Sequence, residues 1–195
     1  MLPNIWFTSD THWFHTNILK LCDRPFTTIE EHNEQLIQNH NSVVHTNDWV
    51  FNLGDIIMGN KQENIPKILP RLNGTLTMCR GNHDSNWRRP DKDYLYMDHG
   101  VKACHNSIQL DLSDYGLSSA LTLSHLPPKV PGMVLSRYDE KFYKHCLQDN
   151  NTIFLYGHTH SKEKVSAHRA INVGVDAWNY YPVSLDNIIQ LITSW

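Results

Sequence analysis

Thr75-Leu76-Thr77-Met78-Cys79-Arg80-Gly81-Asn82-His83-Asp84 is a short apolar run that stops in a polar knot. Thr75–Cys79 has the length and composition of a buried strand. Beyond Arg80 come a glycine and three side chains suited to binding or catalysis. The same event recurs along the chain. Asn4–Ser9 reads as a strand ending at Asp10, and Trp49–Leu53 as one ending at Gly54-Asp55. Ser107–Leu112 and Ala120–Ser124 read as paired strands, the second running out at His125. Thr152–Tyr156 ends at Gly157-His158-Thr159-His160, and a last strand lies near Ala170–Val175. In open α/β architectures ligand sites sit beyond the carboxyl ends of strands. The expected fold is therefore α/β, with its chemistry gathered at those ends.

Between the strands the chain carries helical signals. Thr28 and Glu31 form a capping box, and Ile29, Leu36, Ile37 and Val44 fall on one face of the helix it opens. Further helical stretches are expected around Ile65–Leu72, from about Tyr138 to Leu147, and over Leu185–Ile192, with a proline-marked loop at Pro127, Pro128 and Pro131. Ser85–His105 is polar, aromatic and poorly periodic, which predicts a long loop or lid. With 195 residues and no repeat or linker, one domain spanning 1–195 is expected, with 85–105 as its insertion.

Composition narrows the function. A net charge of −3 offers no basic footprint, so nucleic acid is not a favoured partner. No apolar run approaches the ~20 residues of a membrane span. The four cysteines, Cys22, Cys79, Cys104 and Cys146, form no CxxC pair, which argues against a zinc ribbon or a thioredoxin-like motif. No signal-peptide core precedes Asp10, so the expected location is cytoplasmic. The anomaly is histidine, with thirteen in so short a chain.

The histidines divide by context. His32, His40, His45, His145 and His168 stand in polar or helical surroundings and read as surface or satisfied core residues; His99 and His105 stand in or beside the lid. The others join the strand-end set: Asp10, His12, Asp55, Asn82, His83, His125, His158 and His160. Residues two apart on an extended chain point the same way, so Asp10 with His12, and His158 with His160, could each chelate as a pair. Carboxylate, imidazole and amide oxygen suit Mn²⁺, Fe²⁺, Zn²⁺ or Ni²⁺, and Mg²⁺ is compatible with the oxygens. The set exceeds what one ion requires, and two ions sharing one carboxylate would use nearly all of it. Gly54, Gly81 and Gly157 each precede one of these residues, where a sharp turn or close approach is needed.

Asp10-x-His12, Gly54-Asp55, Gly81-Asn82-His83-Asp84, His125 and Gly157-His158-Thr159-His160 resemble, in order, the five blocks of the calcineurin-like metallophosphoesterase superfamily. The resemblance implies a four-layer α/β/β/α sandwich with the metal site at strand C-terminal ends. It implies two divalent ions, Mn²⁺ first among the candidates. One would lie on Asp10, His12, Asp55 and His160, the other on Asp55, Asn82, His125 and His158. It further implies in-line attack on phosphorus by a metal-bridging hydroxide, with His83 protonating the leaving oxygen and Asp84 a candidate to orient it. Imidazole is in any case the side chain suited to proton donation near neutrality.

The stretch Gly54-Asp55-Ile56-Ile57-Met58-Gly59 lacks the arginine of the protein Ser/Thr phosphatases, and Asp84 replaces their glutamate. The chain also lacks room for the accessory domains of repair nucleases. What remains resembles the small single-domain bacterial and phage phosphoesterases. A small phosphorylated substrate is expected, a nucleotide among the candidates: a cyclic nucleotide, a 2′,3′-cyclic phosphate or a monoester. A nuclease and a non-catalytic scaffold of the same fold are the alternatives. Arg24 and Arg88 are candidate substrate contacts, Arg88 within a Trp87-Arg88-Arg89 lid. His15 is a candidate supporting residue, Asn17 reads as a helix cap, Arg80 as packing beside the site, and Asn172 and Gly174 as shaping a strand end.

Overall fold

The first strand, β1 (Ile5–Thr8), sends Ile5 and Phe7 into one apolar cluster and Trp6 into another. The same period-two division runs through β2 (Trp49–Asn52), where Val50 and Phe51 part to opposite faces, and β3 (Thr75–Cys79), where Met78 and Cys79 do. Strands with two apolar faces must be covered on both. The computed structural model shows how, and it describes residues 2–117, 120–129, 141–148, 152–166 and 169–195.

Two five-stranded sheets face each other. Completing the strands are β4 (Val101–His105), β5 (Ser107–Leu110), β6 (Leu121–Ser124), β7 (Ile153–Tyr156), β8 (Val165–Ser166), β9 (Ala170–Asn172) and β10 (Val183–Ser184). One sheet runs β10-β1-β2-β3-β4, the other β5-β6-β7-β9-β8. Phe7, Phe51 and Leu53 from the first meet Leu121, Leu123, Leu155 and Ile171 from the second in a shared core. The α-helices lying wholly within the described residues are α1 (Ile18–Leu21), α2 (Ile29–Val43), α3 (Lys61–Ile68), α4 (Tyr94–Met97) and α5 (Leu185–Thr193). Leu36 and Ile37 of α2, Ile65 and Ile68 of α3 and Tyr96 of α4 cover the outer face of the first sheet. On the outer face of the second, Phe154, Tyr156 and Ala170 pack against Leu147. Helices, sheet, sheet and an outer cover make the expected four layers.

One half of the capping box forms as read, Thr28 Oγ1 accepting from the Glu31 amide; the Glu31 carboxylate accepts from the Thr27 amide, one residue before the cap. Asn17 stands at the start of α1 but makes no side-chain capping bond. Of the helix expected from Tyr138, residues 138–140 lie outside the described residues, and 141–143 are helical.

The long-loop reading of 85–105 is corrected. Val101–His105 pairs in parallel with β3 as an edge strand, and Tyr96 is buried with its hydroxyl accepting from the Ser85 amide. Arg80 draws the segment inward: its guanidinium bonds Asp93 at 3.0 Å, Asn106 at 2.9 Å and the Cys104 carbonyl at 3.0 Å. An edge strand shows one half-solvated side, so the alternation is faint.

Direction of pairing gathers the site. β1, β2 and β3 are mutually parallel, as are β6, β7 and β9. Their carboxyl ends meet where Ser9 bridges Gly174 across the two sheets, with Val175 N donating to Ser9 O at 3.0 Å.

Candidate metal centre

Three of the strand ends that join the site, those of β1, β2 and β7, bend sharply. Asp10, His12, Asp55, His158 and His160 all take the left-handed backbone, with φ of 57°, 50°, 52°, 70° and 50°. Asp and His tolerate that region better than most side chains, and it concentrates at functional sites. Two loops run side by side there: Asp10 N donates to Gly54 O at 3.0 Å and His12 N to Asp55 O at 3.1 Å. A Cβ on Gly81 would lie 2.2 Å from the Asp55 amide and Oδ1, and one on Gly157 would lie 2.2 Å from Asp10 Oδ2. Only hydrogen fits at either position.

The bends sort the donors into two groups. Asp10, His12 and His160 place one donor atom each within 4.8 Å of one another, and so do Asp55, His125 and His158. His158 and His160 therefore belong to different groups. The expectation that they chelate as a pair is corrected, because the chain between them is bent rather than extended. Asp55 stands between the groups: its Oδ2 is 3.6 Å from His12 Nε2 and 3.5 Å from His125 Nε2. Its Oδ1 accepts the His83 amide at 2.7 Å.

The donors fit a cation. Asp10 Oδ1 and His12 Nε2 are buried and have no hydrogen-bond partner among the described residues, which for such groups is an expensive state in the absence of a ligand. His125 Nδ1 donates to the Leu53 carbonyl at 2.8 Å, which turns its Nε2 toward Asn82 Oδ1 at 2.9 Å. With the ring neutral, a lone pair faces oxygen lone pairs on Asn82 and Asp55. A proton or a metal ion belongs between them. Burial, then His160, Arg24 and His83, holds His12 well below the usual histidine range, so it is neutral and free to ligate.

Residues 3–162 match the family model for calcineurin-like phosphoesterases. The chain belongs to that family. Among curated relatives, this phosphoesterase is 34% identical over 192 residues to an uncharacterized protein of Methanocaldococcus jannaschii, covering 98% of this chain and 92% of that one. It is 30% identical to the Gene 66 protein of Mycobacterium phage L5, covering 98% and 95%. A solved protein of unknown function from Aquifex aeolicus shares the fold, with a TM-score of 0.72 at 23% identity over 97% of this chain and all of that one. Family and donor set together make the protein a metal-dependent phosphoesterase, a hydrolase. Among the described residues no helix is long and apolar enough to cross a membrane.

The phosphoesterase assigns other residues differently from their sequence reading. Arg24 is not a substrate contact. Its side chain is fully buried, and it donates to Asp176 from Nε and Nη2 at 2.8 Å each, to the Asp10 carbonyl at 2.8 Å and to the Thr11 carbonyl at 3.0 Å. Every arm of the fork is committed inside the protein. Asp176, which gave no signal as a site residue, accepts from His160 Nδ1 at 2.9 Å and leaves His160 Nε2 facing Asp10 Oδ1 at 4.0 Å. Burial alone would lower His160; the bond to Asp176, with Cys22 and Asp10 nearby, raises it to about 10. His32 is a satisfied core histidine, accepting from Arg24 Nη1 at 2.9 Å and held down to about 4 by burial and that guanidinium.

Asp84 does not orient His83. One of its oxygens accepts the Asp55 and Gly81 amides at 2.9 and 2.8 Å, and the other accepts the Ile56 amide at 3.1 Å. It ties the second loop to the third. His83 itself is exposed at the mouth of the site, its ring 5.5 Å from that of His12. Desolvation in the cleft, then His125, Lys61 and His15, draw it down to about 4. His15 supports the first group, its Nδ1 3.2 Å from His12 Nδ1. Asn172 shapes a strand end as read, bonding Gly174, Ser161 and Glu163. Arg88 is exposed, bonded to His145 and beside the Trp87 ring.

Proposed function

We propose that the protein hydrolyses a small phosphodiester, with a monoester as a secondary substrate, at a centre of two divalent cations, Mn²⁺ foremost. The observation that carries this reading is Asp55 Oδ2, which lies about equally far from the imidazole Nε2 atoms of His12 and His125. One carboxylate oxygen thereby faces both donor groups. Asp10, His12, Asp55 and His160 would hold one ion; Asp55, Asn82, His125 and His158 would hold the other. Such ions, when bound, put positive charge on the phosphoryl oxygens and acidify the attacking water.

The chain supplies the rest. Asp84 fixes the backbone amides of Asp55 and Ile56, and the His83 amide clamps Asp55 Oδ1. The His83 ring, at the rim and clear of Asp84, is placed to give its ring-nitrogen proton to the leaving oxygen. Free His83 is held neutral; the negative charge of a bound phosphate beside the ring raises its affinity for a proton, which the exposed ring takes from solvent.

Metal analysis and a substrate screen test the proposal together. Purified protein should hold close to two equivalents of divalent metal. It should lose turnover of bis(p-nitrophenyl) phosphate on chelation and regain it with Mn²⁺. Asp55→Asn should abolish turnover. One tightly held ion in fully active protein, with no gain on adding metal, would refute the two-ion reading.

A further inference from the structure

A cavity of about 360 Å³ opens beside His125, with Trp87, Arg88, Ser107, Ser124 and His145 among its walls. Ser107 opens β5 and Ser124 closes β6, and the two are cross-strand partners. Alternation along β6 puts Ser124 on the face opposite Leu123, which enters the core between the sheets. Ser124 is buried, yet its hydroxyl makes no hydrogen bond among the described residues. Arg88 uses one nitrogen, Nη2, on the His145 ring, and its guanidinium stands 5.9 Å from the Trp87 ring centre. The rest of its donors are uncommitted among the described residues. Burial, then Arg88, Lys144 and Lys129, hold His145 below the usual histidine range, so three cations act on one ring. Arg89 next door is paired with Asp91, whereas Arg88, Lys129 and Lys144 have no ion pair among the described residues. Nor does any aspartate or glutamate line the cavity among those residues.

We propose that this cavity holds a second phosphate of the substrate, with the Arg88 guanidinium and the Ser107 and Ser124 hydroxyls as its donors. The proposal rests on the phosphodiesterase reading and adds to it the class of substrate: a diester that carries a further phosphate on one ester arm. His125 joins the two places. Its Nε2 faces Asn82 and Asp55, where the scissile phosphorus would lie, and its ring also walls the cavity. The volume lies within the range of small-molecule sites, ~300–1,000 Å³. A phosphate offers more acceptor positions than one guanidinium fills, and two hydroxyls supply neutral donors for the others. An uncharged ester arm would leave those donors and the three cations unanswered. The chain as a whole is acidic, with a net charge of −3, so this local concentration of positive charge is not a property of the whole surface.

Calorimetry on the Mn²⁺-loaded protein tests this by comparing thymidine 3′,5′-bisphosphate with thymidine 3′-phosphate and thymidine 5′-phosphate. The bisphosphate should bind at least about tenfold more tightly than either monophosphate, and the margin should narrow as salt rises from about 0.05 to 0.2 M. Arg88→Gln should bring the margin to within about threefold, and so should Ser107→Asp, which sets a like charge in the cavity. Both positions are exposed, so neither change disturbs the core. Lys102→Gln removes a charge from an exposed position on β4 that does not line the cavity, and it should leave the margin where it was. Decathymidylate tells the source of the second phosphate: about tenfold tighter binding than the bisphosphate marks a strand, and equal binding a small molecule. A bisphosphate no tighter than the monophosphates, a margin that survives both cavity variants, or one lost equally in Lys102→Gln overturns the proposal. Turnover of bis(p-nitrophenyl) phosphate by the same preparations separates the two readings. Turnover without the margin removes the second-phosphate site alone, and no turnover with any divalent metal removes the phosphodiesterase reading.

Discussion

Asp176→Asn removes one charge from a buried chain of contacts that ends on a metal-type histidine, and its consequences can be worked from the bonds. The carboxylate accepts three donors: Arg24 Nε on Oδ1, and Arg24 Nη2 and His160 Nδ1 on Oδ2. An amide has one acceptor oxygen. If that oxygen takes the Oδ2 position, the new NH₂ faces Arg24 Nε–H. If it takes the Oδ1 position, the NH₂ faces both Arg24 Nη2 and His160, and His160 can then accept only by moving its proton to Nε2, the nitrogen aimed at Asp10. Either way Arg24, whose side chain has no solvent exposure, keeps its charge without a counter-ion. Breaking a buried pair in this manner typically costs about 3–5 kcal/mol, a large part of the ~5–15 kcal/mol that holds a domain folded.

Two measurements separate the outcomes. Urea unfolding of chelator-treated protein should show the loss of stability directly. Calorimetric titration of metal-free protein with Mn²⁺ or Zn²⁺ should show affinity down by roughly 10- to 100-fold, as for other lost hydrogen bonds behind a ligating histidine. Arg24→Met and the double variant complete a cycle. The two losses should overlap by about 0.5–3 kcal/mol, because the residues share bonds. A stability change below about 1 kcal/mol, with metal affinity within twofold of wild type, would refute the chain of contacts as the device that aims His160.

Three further outcomes rest on the same geometry. Because His160 is raised to about 10 and Asp55 to about 7, metal must displace protons: apparent affinity should climb roughly tenfold per pH unit from pH 7 toward 10 and more steeply below 7, and a flat profile from pH 6 to 9 would contradict it. Gly157→Ala drives a Cβ against Asp10 and Gly81→Ala drives one against Asp55; because Asp10 Oδ2 also holds the His158 amide, metal analysis should show either variant losing both equivalents, and retention of one by Gly157→Ala would separate the two groups. His83→Ala should keep its metal yet lose about 10²–10⁴ in rate on an alkyl ester and far less on a p-nitrophenyl ester, whose leaving group needs little protonation; equal losses on both would assign His83 to charge stabilisation instead.

Sequence made the strand ends legible because each is a local event: an apolar run, then a donor side chain, with a glycine between them at Gly54, Gly81 and Gly157, all within about ten residues. Asp10, His12, Asp55, Asn82, His125, His158 and His160 all stand at those ends. The residues that reading misplaced act through partners far along the chain. Arg24 bonds a carboxylate 152 positions away, and nothing near Cys22-Asp23-Arg24-Pro25 distinguishes a buried guanidinium from one reaching for phosphate. Asp176 sits in a single turn after β9, and only Gly174 marked the spot. Asp84 adjoins His83 in the chain, so adjacency suggested a partnership, while its oxygens turn back to the Asp55 loop. Lys61 carried no signal either; it is half-buried near Asp55 and Asp84, and burial lowers its pKa despite both carboxylates.

The left-handed bends explain why spacing alone misled at Gly157-His158-Thr159-His160. On extended backbone the two imidazoles would share a side and chelate one ion. With φ at 70° and 50°, the chain turns between them, and Thr159 N folds back onto Gly157 O at 2.8 Å. His158 is delivered to Asp55 and His125, and His160 to Asp10 and His12. A left-handed L-residue costs roughly 1–2 kcal/mol, so four residues would not hold two such bends unless the surroundings fixed them. They do: the His158 amide is held by Asp10 Oδ2 at 2.8 Å, and the His160 ring by Asp176. The donor pair of one group thus rests on a carboxylate of the other. Asp10 serves its own group through Oδ1 and secures the backbone of the neighbouring group through Oδ2, so displacement of that one carboxylate disturbs both. Asp55 couples them a second time from the opposite side. The two groups are one mechanical unit, built from strand ends too short to be rigid alone.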